Sequence, residues 1–360
     1  MNITFLIGNG FDLNCGLKSS YHDIYLEYIK QPSSSDVIAK FKKDLWDKID
    51  NWGDFEVAMA DYMKNFKTEN DFLECLRDFI SFTESYLLKQ EKEILDLDND
   101  KIKKKAADEM IKSFSTFNIG VTHTLDALEV ANEHINVVIF NYTSTFDTLC
   151  SYCYTHYPYV DKIIHIHGKL NDDVVIGIDN IEQVQNTSYV LSRKGKRAFI
   201  KSYFNEQYDP KRLEDAENVI LDSNVICAFG MSLGESDLRW RNLLLEWMSN
   251  DSNAHLFVYQ YDCSSLPRLR AEERMDIEDD KKIELLNSWG ITGDEIDTYF
   301  DQIHIPCCKN IFNIKKTIAE TKLRILAEEK VEREVWNRIK ENNDPTVLSV
   351  YNQGEYNDQL

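Results

Sequence analysis

Short, unbroken apolar runs alternate along the chain with longer stretches in which apolar residues return every three or four positions. The runs read as strands at Ile3–Ile7, Val137–Phe140, Ile163–His167, Val174–Ile178, Val225–Phe229 and Leu256–Tyr259. "NVVIF" and "NVICAF" carry no polar interruption, as expected of strands covered by helices on both sheet faces. Alternating strands and helices define an α/β fold, here a Rossmann-like parallel sheet.

Between the first two strands lies a long helical block. Phe55, Met59, Tyr62, Met63 and Phe66 fall on one helical face, and Phe72, Leu76, Phe79, Ile80, Thr83 and Leu87 on another. Stripes at that period are packing surfaces. The charged stretch Asp96–Lys105 reads as an exposed helix junction, and residues 18–133 as a large helical insertion on the sheet. A further helix is expected from about Asn310 to Lys340, with Ile311, Ile314, Ile318 and Ile325 as its apolar stripe and a charged second half. From Pro345 onward the sequence is polar. The organisation is thus an α/β domain over 1–309, insertion included, and a C-terminal helix with a polar tail over 310–360.

Composition narrows the function. Of 360 residues, 43% are hydrophobic, which suits a globular core, and the formal net charge is −21. That charge argues against a protein that grips a nucleic-acid backbone, which requires a clustered positive field. No stretch reaches the roughly 20 apolar residues of a membrane span. The opening "MNITFLIGNG" has no basic leader, so a cytoplasmic protein with reduced thiols is expected. Cys150 and Cys153 stand at a zinc-like spacing, but their surroundings read as helical and the other candidates are the adjacent Cys307 and Cys308. Buried thiols are the preferred reading, with no metal.

Seven of the 13 glycines fall at the ends of expected strands: Gly8, Gly10, Gly16, Gly168, Gly177, Gly230 and Gly234. Ligands of open parallel sheets bind beyond those ends. Gly8-Asn9-Gly10-Phe11-Asp12-Leu13 meets the first two glycine positions of a dinucleotide fingerprint and lacks the third. Polar residues gather at the same ends: Asn141-Tyr142-Thr143, His167-Gly168, and Met231 to Asp237. Each has a plain structural use. Asn141, Thr143 or Ser144 could cap a helix, Ser232 with Glu235 matches a capping box, and Ser236 or Asp237 could cap the next helix. His165 and His167 alternate on one strand, so metal binding is a minority reading.

The blocks "LIGNGFDLNCGLKSSY", "WGDFE", "FNYTSTFD", "IHGKL", "IGID" and "FGMSLGESDLRW" resemble, in order, those of the AbiH family of bacterial abortive-infection proteins. That family is similar, distantly, to the sirtuin fold, whose glycine loop, asparagine block, His-Gly pair and Gly-x-Ser have counterparts in Gly8-Asn9-Gly10, Asn141, His167-Gly168 and Gly230-Met231-Ser232. Asp12 and Thr143 depart from the sirtuin pattern, and a zinc-ribbon cysteine quartet is missing.

The resemblance implies an anti-phage effector that binds NAD and cleaves its nicotinamide–ribose bond, an NAD glycohydrolase. Asn141 is expected to position the substrate and His167, with a pKa near neutrality, to act as base. Gly8, Asn9, Gly10, Phe11, Asp12, Thr143, Gly168, Gly230, Ser232 and Asp237 are the expected NAD contacts, with backbone N–H groups of Gly8 and Gly10 facing the pyrophosphate. A phage-derived trigger and self-association are the expected restraints. The alternatives are a nucleotide-binding sensor or interaction module without turnover and, discouraged by the charge, a nucleic-acid enzyme.

Overall fold

The computed structural model describes the chain except residues 48–53, 96–99, 117–133, 157–158, 173, 185–188, 260–269, 307–310 and 342–360. Trp52, Cys307, Cys308, the polar tail and the last part of the expected insertion lie outside the described residues. Two compact units divide the chain, residues 1–314 and 315–360.

Six parallel strands form one sheet in the first unit: β1 (Asn2–Ile7), β2 (His134–Ile139), β3 (Val160–His165), β4 (Val225–Phe229), β5 (His255–Tyr259) and β6 (Ile303–His304). Their spatial order is β3-β2-β1-β4-β5-β6. Chain progress runs outward in one direction from β1 and in the other from β4, so the switch point lies between those two strands. β1 and β4 are buried almost throughout, and that explains why they are apolar apart from Asn2 and Thr4, whose hydroxyl donates to the Val219 carbonyl.

Helices α1 (Gly10–Cys15), α2 (Tyr21–Tyr28), α3 (Asp36–Asp47), α4 (Phe55–Tyr62), α5 (Glu69–Leu95) and α6 (Asp100–Thr116) separate β1 from β2. After β2 comes α7 (Thr145–Leu149); α8 (Arg193–Phe199), α9 (Lys201–Tyr208) and α10 (Pro210–Leu221) precede β4. Then follow α11 (Leu238–Asn250), α12 (Ala271–Ser288) and α13 (Ile296–Tyr299). The second unit holds α14 (Lys315–Glu341).

Two large apolar clusters stand out among the described residues. One joins β-strand residues such as Leu6, Val138 and Ile226 to α10 and α11 through Ile220, Trp240 and Leu244. The other gathers the aromatic stripes of α2–α5, including Tyr25, Phe41, Phe55, Phe72 and Phe79, with Ile176, Phe199 and Ile200. Phe55 and Phe79 stack at 4.0 Å between centroids.

The expected strand at Val174–Ile178 does not form. Ile176 and Ile178 are fully buried, but the segment makes a single bridge, Ile178 to Ile200. Gly177 lies so close to Phe199 that a Cβ would sit 2.0 Å from the Phe199 carbonyl oxygen. Its apolar character comes from crossing the helical core. The helix expected from Asn310 begins at Lys315; Ile311 and Ile314 are buried ahead of it.

Candidate functional site

A cavity of about 170 Å³ opens at the carboxyl ends of β1, β2 and β4. Its sheet-side wall is built from Gly8, Asn9, Asp12, Asn141, Thr143, His167, Gly230, Ser232 and Asp237; its helical wall includes Tyr21, Ile24, Glu56, Thr83 and Leu87. It therefore sits at the switch point, where the chain leaves β1 and β4 in opposite directions and opens a crevice.

The glycines allow one loop to lie on another. A Cβ on Gly8 would stand 2.5 Å from the Gly230 carbonyl oxygen, and one on Gly230, whose φ is +69°, would stand 2.6 Å from the Gly10 Cα. The amides are committed there as well. Gly8 N–H donates to the Phe229 carbonyl and Gly10 N–H to the Gly230 carbonyl, both at 2.9 Å. The expectation that these two N–H groups face a pyrophosphate is corrected: they fasten the β1 loop to the β4 loop, and α1 starts at once at Gly10.

Gly10 and Phe11 accordingly do not line the cavity. Phe11 packs into an aromatic cluster with Phe146 (5.1 Å) and Phe312 (5.3 Å). Gly168 turns the chain after β3 at φ +79° and borders a separate groove beside Lys169 and Arg212. The other nine expected site residues come together. Asn9 among them is tied into its own loop, giving its Nδ2 to the Ser19 carbonyl and accepting from Ser19 Oγ.

Asn141 is 6% exposed, and its amide makes no hydrogen bond of normal geometry, although it lies near enough to Asp12 to favour that carboxylate. Thr83 Oγ1 and Asp12 Oδ1, also buried, are likewise unpartnered. The other Asp12 oxygen accepts from Thr143 Oγ1 at 2.7 Å. The alternative use of the strand-end polar residues as helix caps is not made at Ser144 or Asp237, which stand at N-cap positions without side-chain cap bonds.

Charge in the cavity is mostly acidic. Burial pushes Asp12 up to about 7, against the restraint of neighbouring Thr143, Asn141 and Thr145. Burial likewise pushes Glu56 to about 7, although Lys201 and the Tyr21 hydroxyl favour its ionised form. Asp237 is pushed up to about 6 by burial, with Lys201 opposing. Burial alone would lower Lys201, but the combined attraction of Glu56, Tyr142, Asp179 and Asp237 outweighs it and holds the ammonium above its usual range.

His167 is 5% exposed, and its Nδ1 lies 3.3 Å from the Phe140 carbonyl. A carbonyl can only accept, so Nδ1 carries the proton and Nε2 the lone pair. Burial first, then the Lys201 charge, drives its pKa well below the ordinary value. The near-neutral base expected from sequence is instead a ring that stays uncharged. His165 turns to a different partner, Asp147 Oδ2 at 2.8 Å, which also receives Lys169 through Oδ1. The two histidines do not share a ligand, and among the described residues no three metal-ligating side chains assemble.

Sequence reasoning missed Tyr21, Glu56 and Lys201. Tyr21 OH donates to Glu56 Oε1 at 2.7 Å, and Lys201 Nζ lies 3.5 Å from the same oxygen. Glu56 was legible as the last residue of the "WGDFE" block, adjoining the apolar stripe that starts at Phe55. Lys201 had a weaker mark, a lone lysine inside "AFIKSYF".

A parallel sheet with a polar, acid-lined cavity at its switch point defines a Rossmann-like α/β protein with a candidate ligand site at that point. The family model for bacteriophage abortive infection AbiH matches residues 4–259, which span β1 to β5 and every cavity residue. The chain belongs to the AbiH family. Comparison with curated proteins returns no match.

Proposed function

We propose that this protein is an abortive-infection effector that binds NAD in the switch-point cavity and cleaves its nicotinamide–ribose bond. The carrying observation is the set of unpartnered polar atoms around the cavity: Asn141 Nδ2 and Oδ1, Thr83 Oγ1 and Asp12 Oδ1. Leaving a buried polar group unsatisfied costs about 1–3 kcal/mol. A ligand bearing its own carboxamide, with one donor and one acceptor face, complements an asparagine amide.

Size and charge support the same end of the dinucleotide. A cavity of about 170 Å³ is close to the roughly 150 Å³ that accommodates benzene and below the roughly 300–1,000 Å³ of whole-ligand pockets. It suits one ring and part of a sugar, with the rest of the dinucleotide extending outside. Three carboxyl groups against a single lysine among its lining residues repel phosphate but favour a pyridinium ring and the positive charge that develops on ribose as the bond breaks. In this reading Asn141 holds the carboxamide and His167 offers an unprotonated Nε2 to a ribose hydroxyl. Ser232 contacts the part of the ligand nearest the cavity mouth.

The test is nicotinamide release from NAD by the purified protein, followed by chromatography, beside Asn141→Ala of matched melting temperature. Release is expected to fall about 10²-fold or more in the variant. Saturable NAD binding without release, in the presence of infected-cell lysate as trigger, would instead favour a sensor.

A further inference from the structure

The helical segment contributes more than a wall to this cavity. Helix α4 is started by Asp54, whose side chain accepts from Val57 N–H, and anchored by fully buried Phe55 and Met59. Glu56 follows the anchor directly. It is carried to the cavity, 6% exposed, where Tyr21 OH and Lys201 Nζ both address its Oε1.

We infer that Glu56 is the base that takes a proton from the water attacking the ribose, with Tyr21 and Lys201 as positioning residues that hold its carboxylate. This rests on the reading of the cavity as a site of N-glycosidic cleavage. The C1–N bond breaks with its electron pair leaving on the nicotinamide nitrogen, so the ring departs neutral. The water oxygen bonds to C1, and its proton passes to the Glu56 carboxylate.

Placement favours Glu56 over the other carboxyls. Asn141 is on the sheet-side wall, so a water that enters opposite the departing ring needs a base on a different wall, and Glu56 is the carboxylate on the helical wall. Asp12 is locked against Thr143 and 1% exposed. Asp237 shares the sheet-side loops. The lysine is not a dedicated ion-pair partner either, since Asp179, Asp237 and Tyr142 also face its charge. Half-ionisation at neutral pH suits a base that must both accept and release a proton. The groups that set it are Asp54 on its own helix, Tyr21 and Tyr25 of α2, Tyr142 after β2, and Lys201 of α9.

The experiment measures nicotinamide release by the full chain from pH 5.5 to 9 for wild type, Glu56→Gln, Tyr21→Phe and Lys201→Met, with NAD affinity and melting temperature recorded for each. Wild type is expected to gain rate as pH rises through about 7. Glu56→Gln should lose about 10²–10⁴-fold in kcat with NAD binding retained. Tyr21→Phe and Lys201→Met each remove a group that stabilises the carboxylate, so the surviving activity should have its acid limb displaced to higher pH. A purely structural pair would lower melting temperature and leave that limb in place. Should Glu56→Gln fail to fold, the Tyr21→Phe profile decides alone. Release retained by a folded Glu56→Gln, or an unmoved limb in Tyr21→Phe, overturns this inference and leaves the cleavage reading standing. No release by wild type with infected-cell lysate present as trigger removes both.

Discussion

At the residue scale, the acidic cavity trades stability for chemistry. Asp12 titrates at about 7 in the folded chain against an ordinary 3.8, so between those values the folded state retains a proton that the unfolded state releases. Its contribution is therefore full below about pH 4 and lost as pH rises to 7. Glu56 and Asp237 act in the same direction. Asp12→Asn keeps an acceptor for Thr143 and removes the ionisation. It is expected to be more stable than wild type by on the order of 4 kcal/mol at pH 7 and by less than about 1 kcal/mol at pH 4, read from denaturant melts at both values. Gly230→Ala should cost several kcal/mol in the same assay, about what overpacking combined with an unfavourable φ imposes.

Residue-scale legibility was uneven for a physical reason. Asn141, Asp12 and His167 adjoin strand ends, and strand ends are visible in a sequence as the point where an apolar run stops. Glu56 and Lys201 reach the cavity from helices whose placement depends on how two cores pack together. Nothing local to either residue reports that. The electrostatics were also hidden: the histidine's depressed pKa follows from burial and from a lysine 34 positions away in sequence.

At the scale of elements, five of six observed strands were readable because each carries an apolar run, covering all of β4 but only Ile163 and Ile164 of β3, that stops at polar or glycine residues. β6 has two residues and left no pattern. Val174–Ile178 had the right composition for a strand and none of the pairing, since burial in a helical core imposes the same apolar demand. The segment before α14 shows another way that elements are joined. Phe312, at φ +56°, inserts its ring among Phe11, Phe146 and Phe229, and its carbonyl accepts from Asn14 Nδ2. Phe312→Ala is expected to lower stability by about 3–5 kcal/mol, measurable by thermal or denaturant unfolding, because it empties the space beneath α1.

For the whole molecule, membership of the AbiH family connects the chain to phage abortive infection. The proposed chemistry predicts that cells carrying the wild-type protein lose NAD after phage arrives, while cells carrying Asn141→Ala keep their pool and release progeny phage. Metabolite extraction and plaque counts on the same cultures check both halves. No helix among the described residues is long and apolar enough to cross a membrane. The first unit, 1–314, contains every residue of the cavity, so any role of the second unit in restraint should alter the amount of trigger needed and leave the residues of the cavity unchanged.

The meeting of the β1 and β4 loops also has a genetic consequence. Gly8, Gly10 and Gly230 occupy each other's space, so every missense codon at any of the three adds atoms where another backbone already stands. Two neighbouring codons and a third far downstream in the gene thus behave as one mutational target. Survivors selected from cultures forced to over-express an active protein should be enriched for changes at these codons, in excess of their share of the reading frame, and restoring one glycine should restore killing.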